Sequence, residues 1–195
     1  MKKNILILLL SSTLFAQELT TKSTDKFDFN VAFKSSNRDA TKFSGIKFPN
    51  VNIDDIDGNL FTSKMSKRLV FYNFWHKGCA PCITEMEMLN QLASLFSNNV
   101  DFVGITFNSK KEINSFTKVH PFNFRHISLE QEKINNLFLH KGYPASFLVF
   151  DGEIIEYSSG GFSDFTSIYC YPSLFNTYSK FRNAIEDKLK VIKSE

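Results

Sequence analysis

The stretch from Leu69 to Cys82 constrains this chain more than any other. Leu69 to Trp75 is almost entirely aromatic or branched, which reads as a buried central strand. Gly78 then breaks the run. From Cys82 the period changes, and Cys82, Met86, Leu89, Ala93 and Phe96 recur at spacings of four and three, one face of a helix. Two cysteines with two residues between them, Cys79 and Cys82, therefore fall where a buried strand turns into a helix.

That placement carries chemistry. A helix N-terminus has unpaired N–H groups and the positive end of the macrodipole, so a thiolate there is stabilised. Cys79, at the turn, is expected to be the exposed, attacking sulfur. Cys82, one turn inward on the apolar face, is expected to be the shielded, resolving sulfur. Pro81 suits the first turn, where its missing N–H costs nothing. Half a zinc site and a purely structural bridge are the rival readings. Zinc needs a second close ligand pair, and Cys170, His76, His120, His126 and His140 are scattered. No metal is expected. Glu85 follows Cys82 by three residues on the same helical face. Buried there it would have a raised pKa and could exchange protons with Cys82; a helix twisted enough to leave it wet is the alternative.

The motif Phe-Trp-x-x-x-Cys-Ala-Pro-Cys-x-x-Glu, followed by Gly-Tyr-Pro-Ala-Ser-Phe-Leu-Val at 142–149, resembles the TlpA/ResA group of thioredoxin-like thiol–disulfide oxidoreductases. The likeness covers about residues 45–192. It implies an α/β thioredoxin-like fold, with a central mixed sheet flanked by helices and an N-terminal β-hairpin extension. It implies a cis Pro144 beside the disulfide and a buried acid at Glu85. Three positions depart from common patterns: Gly78 where many relatives carry Trp, Glu87 where many carry a kinking Pro, and Asn73 where ordinary thioredoxins carry a buried Asp.

Around this centre the chain reads in order. Residues 1–16 have a basic start, a short apolar run and a small-residue end, the pattern of a secretory signal. The run is far shorter than the ~20 residues of a spanning helix, and the segment has no Cys for a lipid anchor. The expectation is export to a periplasm, with an uncleaved anchor as the alternative. Residues 17–45 are a polar extension in which Phe27, Phe29, Val31 and Phe33 alternate as in a strand. Residues 46–193 are the expected thioredoxin-like domain. Asp57-Gly58-Asn59 marks a turn between Val51–Ile56 and Leu60–Thr62. Val100–Phe107 reads as a buried strand. Ser109 to Glu112 and Ser128 to Gln131 read as capping boxes, the second opening a helix to about Leu139. Asp151-Gly152 predicts a tight hairpin from Ala145–Phe150 into Ile154–Tyr157, and a last amphipathic helix follows Ser173.

The 22 Phe predict an aromatic core. The net charge of +3, or +1 without Lys2 and Lys3, implies no nucleic-acid partner. Trp75 is expected at the rim of the site. With Ala80, Pro81, Tyr143 and Pro144 it would form the surface a substrate meets, with Tyr143 and Pro144 also keeping metal from the sulfurs. His76 or Lys77 could stabilise the Cys79 thiolate. The other histidines read as surface residues, and Cys170 as a space-filling thiol.

These readings converge on an exported disulfide reductase that cycles between a Cys79/Cys82 dithiol and disulfide, with no further cofactor. It would act as a monomer on a disulfide-bearing protein or small molecule. The resemblance implies a membrane thiol carrier as electron donor. Two alternatives stay open. A peroxiredoxin-type peroxidase would need Thr-x-x-Cys, whereas Trp-His-Lys-Gly precedes Cys79. A non-catalytic binding or chaperone module is the other.

Overall fold

The computed structural model describes residues 43–64, 67–136, 142–159 and 171–195. A short antiparallel hairpin comes first, β1 (Asn52–Asp54) and β2 (Leu60–Thr62). Its loop closes on Asp55, whose carboxylate accepts from the backbone N–H groups of Asp57 and Asn59, both at 2.9 Å. Gly58 sits there at φ +85°, a left-handed conformation that glycine adopts without cost. Then follow β3 (Leu69–Phe74), α1 (Ala80–Phe96), β4 (Val100–Thr106), α2 (Lys110–Thr117), β5 (Arg125–Ser128), α3 (Gln131–Asn136), β6 (Ala145–Phe150), β7 (Glu153–Ser159) and α4 (Tyr171–Ser194).

The main sheet has the order β5-β4-β3-β6-β7. β3 pairs in parallel with β4 and antiparallel with β6, so the sheet is mixed. β3 is central, and all six of its residues are buried. Period two divides its side chains between two cores. Val70, Tyr72 and Phe74 pack with Phe48 and Phe61 of the hairpin side and with Phe147. Leu69, Phe71 and Trp75 pack with Met86, Leu89 and Phe96 of α1 and Phe181 and Ile185 of α4. Both cores are aromatic, as the Phe content predicts; Phe48 stacks on Tyr72 with ring centroids 4.1 Å apart. Phe43 also enters the hairpin-side core, against Phe147 and Tyr157, so the packed unit takes in residues ahead of position 46.

Several local expectations are met. Ser109 and Glu112 form a complete capping box at α2. Asp151 and Gly152, both at positive φ, turn β6 into β7. Two expectations are corrected. Ser128 does not cap a helix: it ends β5, and its hydroxyl donates to the Asn108 carbonyl at 2.8 Å. α3 opens at Gln131, with Ile134 N–H bonded to the Glu130 carbonyl. His126 is not on the surface but buried, because the alternation of β5 aims it at Trp75 and Phe122, at centroid distances of 5.4 Å each. Residues 1–16, the Phe27–Phe33 alternation, the end of the helix near Leu139, and Cys170 lie outside the described residues.

His126 and Trp75 cover Gly104 of β4. A Cβ there would lie 2.9 Å from His126 Nδ1, closer than real contacts allow, and 3.0 Å from Trp75 Nε1, tighter than most. Gly104→Ala should therefore cost about 1–3 kcal/mol through overpacking, read as a lower denaturant midpoint. An unchanged midpoint would mean that the two rings move aside freely.

Candidate active site

Cys79 is the N-cap of α1, and its sulfur accepts from the Cys82 N–H at 3.2 Å. Cys79 and Cys82 are joined as a disulfide, with Cα atoms 5.2 Å apart. Ala80 and Pro81 occupy the first two helical positions, Ala80 exposed and Pro81 half-buried. Cys79 is less open than the sequence predicts: 6% exposed, against 1% for Cys82. The order of access is the expected one, but both sulfurs rest in the α1–α4 core.

The loop leading to Cys79 is held at every step. Trp75 N–H bonds to the Ile105 carbonyl, and Cys79 N–H to the His76 carbonyl, both at 3.0 Å. Lys77 N–H donates to Asn108 Oδ1 at 2.9 Å, and Asn108 is itself tied to Thr106. Gly78 N–H donates to His76 Nδ1 at 3.2 Å. Sequence reasoning missed Asn108. The polar Thr106–Asn108 pair at the end of a hydrophobic strand is the signal that could have found it.

Both cations expected near Cys79 have other partners. The Lys77 ammonium pairs with Glu112 at 2.5 Å. That contact, joined by bonds from Ser109, holds the Glu112 carboxyl down at about 2. The His76 ring packs on Tyr143 and Phe107, at 5.0 and 5.2 Å, and burial lowers its pKa, disfavouring its charged form. The N-terminus of α1, which Cys79 caps, supplies a positive field at its sulfur.

Glu85 is 5% exposed, and burial pushes its carboxyl up to about 8, opposed by a hydrogen bond from Asn73. Asn73 Nδ2 donates to Glu85 Oε1 at 2.8 Å and to Ser146 Oγ at 3.0 Å. Sheet register explains the meeting. Asn73 lies on the β3 face that carries Phe71 and Trp75, and it pairs directly with Ser146 of β6. The wet alternative for Glu85 is thereby removed.

Tyr143 and Pro144 are joined by a cis peptide bond, as the resemblance implies. Pro144 is buried and lines one cavity with Glu85, Leu89, Ser146 and Phe181. Tyr143 is half-buried against the cluster that holds both cysteines, and burial raises its phenol pKa. Trp75 is the clear miss. It is fully buried among Phe116, Phe122 and His126 rather than at the rim, because it continues the inward alternation of β3. It cannot touch a substrate in this conformation. Phe107, 38% exposed beside His76 and Tyr143, takes the rim position instead. Among the described residues no three His, Cys, Asp or Glu side chains gather to hold a metal.

A family model described as the AhpC/TSA family matches residues 44–158, which span both β3 and the cis-proline strand. The chain belongs to the AhpC/TSA family. The chain is also 28% identical to the thiol–disulfide oxidoreductase ResA of Bacillus cereus over 116 residues, covering 57% of this chain and 67% of ResA. The TlpA/ResA likeness read from the motifs is matched by this similarity to ResA. Solved structures agree on the fold. A thiol:disulfide interchange protein of the thioredoxin family from Chlorobium tepidum superposes with a TM-score of 0.52 at 21% identity, covering 59% of this chain and 86% of that one. A thio-disulfide isomerase from Thermus thermophilus gives 0.52 at 20% identity, covering 60% and 86%. This family member has a thioredoxin-like fold, is similar to thiol–disulfide oxidoreductases, and carries a bonded cysteine pair at 79 and 82.

Proposed function

We propose that the protein is an exported disulfide reductase. The observation that carries this reading is the Cys79–Cys82 pair at the N-terminus of α1, with a buried, high-pKa Glu85 one turn behind it. The Cys79 thiolate attacks one sulfur of a substrate disulfide. A Cys79–substrate disulfide forms and the other substrate sulfur leaves as a thiolate. Glu85, as carboxylate, takes the Cys82 proton. Cys82 then attacks Cys79 Sγ, the second substrate sulfur leaves, and the Cys79–Cys82 disulfide is restored. Glu85 returns its proton toward a leaving thiolate. Two electrons pass from the dithiol to the substrate, and a membrane thiol carrier would return them.

The reductase direction is supported by the Ala-Pro between the cysteines, which lacks the His of strongly oxidising relatives. Export is supported by the signal pattern of residues 1–16, and no described helix is long and apolar enough to cross a membrane. Tyr143 and Pro144 would present backbone to the substrate, beside Ala80 and Pro81.

Cys82→Ser should trap the substrate. Without a resolving thiol, the Cys79 mixed disulfide should accumulate and survive non-reducing electrophoresis. Trapping in cells would identify the substrate and whether it is a protein. No adduct, with peroxide consumed by the intact protein instead, would favour the peroxidase alternative.

A further inference from the structure

Asn73 is an unusual residue to find fully buried in the central strand. It is 1% exposed, and Phe71, Tyr72, Phe74 and Trp75 around it are apolar. Period two and the β3–β6 register bring it under Glu85 with Ser146 opposite. Both donor hydrogens of its amide are committed, one to Glu85 Oε1 and one to Ser146 Oγ. The Ser146 contact prevents the amide from swinging away.

We propose that Asn73 is the positioning residue for the acid of this site: it holds one Glu85 oxygen as a permanent acceptor and so assigns the exchanged proton to the other. The proposal rests on the reading of Glu85 as the proton-transfer group and extends it to a second residue. An amide NH2 can only donate. The oxygen facing it accepts whether Glu85 is ionised or neutral, so the neutral acid must carry its proton on Oε2. Oε1 is then its carbonyl oxygen. The orientation of the carboxyl does not change between the two states, and a fixed acceptor site suits proton exchange with Cys82. Besides Glu85, the titratable side chain lining this cavity is Tyr178 on α4; Cys79 and Cys82 on α1 are joined in the oxidised protein and do not titrate. β3, β6 and β7 present Asn73, Ser146 and Ser158, which do not titrate near neutrality.

The test combines infrared difference spectra and pH titrations of the oxidised protein with the pH–rate profile of turnover. The carbonyl band of protonated Glu85 is identified as the band lost in Glu85→Gln. In Asn73→Leu this band should move to higher wavenumber, because its carbonyl has lost a donor. Its titration midpoint should rise, because the lost bond favoured the carboxylate. The midpoint of the pH–rate profile should rise with it. A loss of packing alone would move neither the band nor the two midpoints together. Asn73→Asp is nearly isosteric and keeps the test open if the leucine variant does not fold. There the new carboxyl and Glu85 should share a proton and titrate in two separated steps. An unmoved band, a midpoint that falls, or a single step at the wild-type midpoint in Asn73→Asp would overturn the proposal alone. Unchanged turnover and thiolate titration in Glu85→Gln would overturn the proton-transfer reading and this proposal with it.

Discussion

Cys79→Ser should reduce disulfide exchange to background, a loss on the order of 10³-fold or more, with the domain still folded. A serine hydroxyl is hardly ionised near neutral pH, so the helix N-terminus has no anion to stabilise there. The substitution is nearly isosteric at a position that caps α1 through its side chain, and serine is among the preferred N-caps. Stability lost with the disulfide should be matched by chemically reduced wild type. Comparing Cys79→Ser with reduced wild type therefore separates chemistry from folding. Turnover within a few-fold of wild type, measured on an insulin-type protein disulfide or a small aromatic disulfide, would move the chemistry to another group.

Glu85→Gln should have the largest effect on stability, and the effect should depend on pH. The Glu85 carboxyl rises from 4.5 in an exposed chain to about 8 when buried. Between those values the folded protein binds a proton that the unfolded chain has released, so its stability falls as pH rises. Below pH 4.5 both states are protonated and the penalty vanishes; above pH 8 it is complete. At roughly 1.4 kcal/mol per unit, the penalty amounts to several kcal/mol. Gln keeps the acceptor that Asn73 needs and has no proton to lose. The variant should match wild type near pH 4 and exceed it by several kcal/mol at pH 9, in denaturant titrations of the oxidised proteins. Other titrating groups act in both proteins and largely cancel in the difference. A difference that does not vary with pH would place Glu85 in water in the folded state.

The fold was readable where sequence periods were long and uninterrupted. β3 and α1 announced themselves through an apolar run followed by a change to spacings of three and four, and the hairpin turns through Gly58 and Asp151-Gly152. Glu85 could be put on the right face but not declared buried, since a helix position does not reveal what covers it. That depended on β3–β6 register, which brings Asn73 and Ser146 beneath it. Trp75 was misplaced for a related reason. Its proximity to Cys79 suggested the rim, whereas the strand's alternation carries it into the core against His126 and over Gly104. Ser128 had the spacing of a capping box, but β5 pairing with β4 claimed it first. For Glu85 and Ser128 a non-local pairing outweighed the local pattern; for Trp75 the strand's own period outweighed its nearness to Cys79.

The central claim is that Cys79 is the attacking sulfur, activated by the N-terminus of α1. The most direct measurement is alkylation of the freshly reduced protein at mildly acidic pH, with labelled cysteines mapped by mass spectrometry over time. Cys79 should be labelled first and well ahead of Cys82, because its sulfur is the more open and sits at the helix N-terminus. Faster labelling of Cys82, or equal rates at the two positions, would contradict the assignment.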